Sequence, residues 1–314
     1  MIIPRNSIPI LWGTLLVGAT AFGEPNDGDF RTKQSGSWTT SSTWQVFSAK
    51  AGTVGGSWVN TVNTPSANSF ATIRSPHSVL VTGIPRTVGT LVIEDAMAPT
   101  EPGELRIHIA FEAGPPIPQY QGIQINAGLE MKTGRDNPAR IVFTDDGTSG
   151  AAGRIVAAAN ISIAGVIRSE AAVRGGVIDA GSNVITIAPT AQVSSPSGPL
   201  TLYGAVEMDG EVLANGPHAI TVSGSGPRAG SSGKWEIANG AGKILFNTTN
   251  PLTIDSSAGS FLVQAGTLDV DQSLTYFGGL KQTGGIIDVA VGKTLVVSGR
   301  YFEPTLPFGT PPEQ

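Results

Sequence analysis

The chain has no cysteine among its 314 residues, so disulfides, thiolate metal sites and a cysteine nucleophile are all excluded. Charged residues are scarce at 14%, too few for the surface of a coiled coil or a helical bundle. Formal net charge is −5 and there is no lysine–arginine cluster, which argues against nucleic acid and anionic membrane as partners. No stretch sustains a 3.6-residue apolar period. The nearest approach, Ala151 to Asn160, holds Gly153 and several alanines. What the chain has in quantity is glycine (41), proline (22) and hydrophobic residues (40%), a mixture too apolar for disorder.

The first 21 residues read as an export signal. Arg5 supplies a positive start, Ile8 to Val17 an apolar stretch, and Ala19-Thr20-Ala21 a small-residue cleavage pattern. The apolar stretch is shorter than the roughly 18–20 residues a membrane span needs, and Pro9 and Gly13 interrupt it. No later segment is long and apolar enough to cross a membrane. The expected location is therefore outside the cell, secreted or at its surface.

Beyond a polar linker over residues 22–34, one short pattern recurs: apolar, polar, apolar, set among Gly, Pro, Asn or Ser. It appears as Leu105-Arg106-Ile107-His108-Ile109, Ile123-Gln124-Ile125, Ile161-Ser162-Ile163 and Ile185-Thr186-Ile187. It continues as Leu200-Thr201-Leu202, Val206-Glu207-Met208 and Ile220-Thr221-Val222, and returns in Leu252-Thr253-Ile254, Leu268-Asp269-Val270 and Ile287-Asp288-Val289. A period of two places alternate side chains on one face, so each is a half-buried strand of about three to five residues.

The spacing of these strands suggests stacking. Gly266-Thr267-Leu268-Asp269-Val270 and Gly285-Ile286-Ile287-Asp288-Val289 match at an offset of 19 residues, and Gly103 and Gly122 open strands at the same offset. A period near 20 made of tiny strands suits a solenoid rather than a sandwich. The expected fold is all-β: a single-stranded parallel β-helix of about ten coils over residues 70–302. An amino-terminal cap over residues 35–69 would carry Trp38, Trp44 and Trp58, aromatic bulk that can cover the open first coil. The competing reading makes those tryptophans a sugar-stacking platform.

Gly36-Ser37-Trp38 and Ser42-Thr43-Trp44, followed by Ala71-Thr72-Ile73, His77-Ser78-Val79-Leu80-Val81 and Val88-Gly89-Thr90-Leu91-Val92-Ile93, resemble the opening of exported bacterial β-helix proteins. The layout is similar to the secreted domain family named for its eight glycines. The stretch from Gly259 to Val270 resembles the strand repeat of autotransporter passengers. Together these cover most of residues 35–300 and imply a right-handed coil displayed outside the cell, adhesive or structural in role. The chain departs from the autotransporter pattern after Arg300, where no alternating ten-residue strands follow. Residues 303–314, with four prolines, read as an extended tail. The resemblance thus implies a stand-alone subunit or another export route.

Candidates for chemistry are few. His77, His108 and His218 lack local metal-ligand spacing. No Gly-x-Ser-x-Gly elbow occurs, and Gly224-Ser225-Gly226-Pro227 cannot open the helix that a dinucleotide fingerprint requires. No cofactor is expected. The weak candidates for calcium are the turn residues Asp145 and Asp146 and the register pair Asp269 and Asp288, whose stacked charges call for either calcium or screening water. The expectation is a non-catalytic extracellular structural or adhesive protein whose partner is itself, as an oligomer, filament or surface-layer subunit. The alternative is a polysaccharide-binding or polysaccharide-degrading protein on the same scaffold, with Trp235, Tyr203 or Tyr276 lining a groove.

Overall fold

A computed structural model describes residues 25–49, 56–82, 85–109, 121–145, 152–228, 230–254, 259–299 and 301–302. The segments read as an export signal and as a proline-rich tail lie outside the described residues, as does Asp146. The described chain is all-β, with a fourteen-stranded sheet, an eleven-stranded sheet and a small three-stranded one.

Every apolar–polar–apolar segment picked out above lies in a strand. Ile161–Ile163 and Leu252–Ile254 show the alternation plainly, with both apolar residues buried and the central polar residue exposed. The chain passes back and forth between the two large sheets. From Arg140–Asp145 in the smaller sheet it enters Gly153–Ala157 in the larger, and by Val166–Ser169 it is back in the smaller. From Phe70–Ile73 onward the strands of the two large sheets pair in parallel with those of the preceding row of the same sheet.

From Gly176 onward the registers of the larger sheet advance by 19 to 24 residues: Gly176 lies beside Leu200, then Ile220 follows, then Ile244, Leu268 and Ile287. Rows in register line up their inward side chains. One column runs Ile123, Ile155, Ile178, Leu202, Val222, Phe246, Val270 and Val289. A second, in the smaller sheet, runs Val79, Leu105, Ile141, Ile167, Val193, Val212, Trp235, Phe261 and Leu280. The two columns belong to one continuous hydrophobic core. Each fully buried aliphatic side chain contributes about 1.5–3 kcal/mol of transfer free energy.

Several expectations need correction. The segment expected to be a linker contains the strand Phe30–Thr32, which joins the larger sheet and buries both Phe30 and Thr32. Its burial pattern was hidden because only three residues alternate. By contrast, the segment nearest a helical period departs from helix as its composition suggests: residues 153–157 form the strand Gly153–Ala157, with Ile155 and Ala157 facing the core at period two. The offset between Gly103 and Gly122 is coincidental, because Glu104–Ile109 belongs to the smaller sheet and Gln121–Met131 to the larger.

Strands also run longer than expected. Gly176–Ile187 spans 12 residues and Gln121–Met131 spans 11, because the ladder continues around a bend where the register slips, between Asp179 and Val184 for the first of them. Gly153–Ala157 and Ile161–Ile163 both lie between these two long strands, so the pairings close a ring of four strands. It is one row of the ladder interrupted at Ala158 to Asn160.

The 19-residue match is real. Gly266 and Gly285 both have φ of +69°, and a Cβ on Gly266 would sit 2.2 Å from the Gly242 carbonyl oxygen, while one on Gly285 would sit 2.6 Å from that of Gly266. Stacking is close enough at this corner that only glycine fits. Gly266→Ala should cost about 2–4 kcal/mol in urea unfolding, combining backbone strain with the clash. Gly292→Ala, at φ +77° but with open space around it, should cost less, about 1–2 kcal/mol.

Candidate functional site

The residues singled out for chemistry are separated and mostly engaged in structural contacts. The Asp145 carboxylate accepts the backbone N–H of Val173 (2.9 Å) and of Arg174 (3.4 Å), anchoring a turn of the neighbouring row. Asp269 and Asp288 stand side by side in register, as their spacing implies. The nearly buried Asp269 is ion-paired with Lys243, however, and Asp288 is exposed. Lys243 relieves the repulsion that sequence reasoning assigned to calcium or water. It opens the strand before Asp269, where Gly242-Lys243-Ile244 aligns with Gly266-Thr267-Leu268, and that alignment was the available signal. Among the described residues no group of three or more His, Asp or Glu side chains comes together to hold a metal.

Other charges pair in the same way along the outer faces. Arg140 meets Glu101 at 2.8 Å, Arg228 meets Glu207 at 2.7 Å, and Lys234 bridges Glu211 (2.9 Å) and Glu236. Hydrogen bonds that the Lys234 ammonium donates to Glu236 and Glu211 raise it above its usual pKa. Burial pulls the Glu211 carboxyl upward, but hydrogen bonds from Gln192 and Lys234 outweigh it and leave the group below its usual range.

Among the described residues Trp38, Trp44 and Trp58 form no sugar platform. Trp38 and Trp44 are buried with ring centroids 5.0 Å apart, and the Trp44 indole N–H donates to the Trp38 carbonyl at 3.0 Å. Trp58 is half-buried under the Arg31 guanidinium, 4.3 Å from its ring centre. Nor do Trp235 and Tyr276 line a groove. They are buried in an aromatic run through Phe246 and Phe261, while Tyr203 alone of the three groove candidates is exposed.

What does stand out is a difference between the two ends of the stack. At the amino-terminal end, Phe30, Trp38 and Trp44 fill the cross-section, and Trp44–Ser48 and Ser57–Asn60 add antiparallel strands beyond the parallel ladder. At the carboxy-terminal end, the final row comprises Ile286–Val289, Leu295–Val297 and Tyr301–Phe302, each the last strand of its sheet. Its inward residues Ile287, Val289, Leu295 and Val297 are only half-buried, whereas Leu268, Val270, Leu274 and Tyr276 one row earlier are fully buried. Ile286 is 61% exposed, Val296 43%, and Val291 fully. Among the described residues no further strand pairs with this row, and its apolar contacts are unfinished in Ile286–Val289 and Leu295–Val297.

No family model, curated protein or solved structure matches this chain. The functional reading therefore rests on the chain's own geometry. No helix among the described residues is long and apolar enough to cross a membrane.

Of the three histidines, His77 and His108 bond through Nδ1 to threonine hydroxyls, Thr32 at 2.8 Å and Thr144 at 3.1 Å. The His218 carbonyl accepts the Ser195 hydroxyl at 3.4 Å. Burial, helped by the charge of Arg74, lowers the His77 pKa below its usual 6.5. The folded state then binds fewer protons there than the unfolded chain, so the contribution of His77 to stability is present above pH ~6.5 and is lost as pH falls. NMR titration of the His77 ring should give a midpoint below that of free imidazole side chains; a midpoint at or above it contradicts the placement.

Proposed function

We propose that this chain is an extracellular structural or adhesive protein, built as a right-handed parallel β-helix, that associates with a second copy of itself through its carboxy-terminal row. The stepwise registers, the alternation between sheets and the two inward columns support the helical stack. The eleven strands of the smaller sheet are close to the coil number expected from sequence. The charged side chains of the outer faces are largely paired with one another, which favours a structural role over a catalytic one.

The observation that carries the reading is the unfinished last row. Half-buried Ile287, Val289, Leu295 and Val297 need a further layer of strands at matching lateral positions to become buried as their counterparts one row earlier are. A second copy offers the same edges and the same apolar set. Two such ends meeting about a two-fold axis pair their edge strands antiparallel and bury both rows at once. An open filament needs an unfinished row at each end. The aromatic plug and antiparallel strands of the amino-terminal end favour a closed pair instead.

Light scattering after size exclusion should show a concentration-dependent dimer that saturates. Ile287→Lys combined with Val297→Lys should give a monomer with unchanged near-ultraviolet circular dichroism from the Trp235–Tyr276 core. A monomer at every concentration, or growth into open-ended polymers, would contradict the proposal. Export is tested separately: mass spectrometry of the culture medium should find a mature chain beginning at Phe22, and retention of the intact leader inside the cell would count against it.

A further inference from the structure

On the flank of the amino-terminal cap, away from the unfinished row, a cleft of about 330 Å³ opens between the segments around Trp38, Pro65 and Arg86. Its lining combines three kinds of surface. Pro65 and Pro85 supply apolar faces, the hydroxyl-bearing side chains of Thr64, Ser66 and Thr87 supply donors and acceptors, and Arg86 supplies the charge. No carboxylate is among the lining residues.

Arg86 lines this cleft without the carboxylate partner that several arginines of the outer faces have. Arg106, Arg140, Arg154, Arg168 and Arg228 each face a glutamate or aspartate. Arg86 has no ion-pair partner among the described residues, and its Nε is shielded from solvent without a hydrogen-bond acceptor. An Nε–H withdrawn from water and left unmet is costly unless an acceptor arrives, and a planar carboxylate matches the guanidinium fork. Hydroxyl groups at the walls suit the hydroxyls of a sugar ring, and proline faces suit its C–H surface, the usual mixture of a small-ligand site.

We infer that this cleft is a binding site for an acidic saccharide, with a uronate carboxylate seated on Arg86 and the ring held between the prolines and the threonine and serine hydroxyls. The site stands apart from the self-association surface and does not depend on it. The probe is a trigalacturonate, compared with its fully methyl-esterified form, which keeps the shape and loses the charge, and with inorganic sulfate.

Backbone amide NMR should show saturable shifts confined to Thr64–Ala67, Arg86 and Thr87 on adding trigalacturonate. The ester, and the acid added to Arg86→Gln, should each bind about ten-fold more weakly or less, the scale of one lost charge-assisted hydrogen bond. Arg86→Lys should retain part of the affinity. Because Arg86 has no ion pair to lose, Arg86→Gln should melt at the same temperature as the parent. Absence of saturable binding, equal affinity for acid and ester, shifts centred elsewhere, or sulfate competing as well as the saccharide binds would each overturn the inference.

Discussion

In this protein a side chain is buried by the row beneath it and the row above it, and by little else. Val222 is enclosed because Leu202 and Phe246 lie in register on either side, and the same holds along both columns. A ladder of this kind buries a row only where the row has a neighbour on each side. The chain treats the two ends of the described stack differently. One receives three large aromatic residues and a pair of antiparallel strands, while the other stops with its apolar residues half-covered. The same constraint that builds the core thus leaves the last of the described rows half-covered.

The outer faces follow a different rule. With so few charges, the chain places acids and bases on adjacent rows, where each row spacing of about 4.8 Å brings them within reach of one another. Exposed pairs of this kind add little stability individually. Arg86, in the cleft beside the cap, has no carboxylate among the residues that line its site.

Much of the fold was legible because a period-two pattern has one consequence: Ile161-Ser162-Ile163 can bury both isoleucines only as a strand. The pairing of Asp269 with Asp288 was legible for a related reason, since matched glycines at Gly266 and Gly285 pin the register where a Cβ has no room. Other features were hidden by degeneracy. Strands of both sheets share one local pattern, so the offset from Gly103 to Gly122 looked like a repeat although the two glycines open strands in different sheets. Phe30–Thr32 is too short to announce itself, and only its neighbours Trp44–Ser48 and Phe70–Ile73 make it a strand. Trp235 and Tyr276 suit the alternative of a sugar-lined groove by residue type alone, yet both stand at inward positions of their strands. Lys243 was missed because an ion pair between rows joins residues far apart in sequence, Lys243 to Asp269.

Amide hydrogen exchange followed by mass spectrometry, on dilute protein, tests the stacked-row account most directly. The account predicts strong, shared protection through Gly176–Ile187, Leu200–Met208 and Lys243–Thr248, protection that persists into the capped end at Trp44–Ser48, and the fastest strand exchange in Ile286–Val289 and Leu295–Val297. Protection that is uniform through the final row, or lost first at the aromatic end, would contradict it.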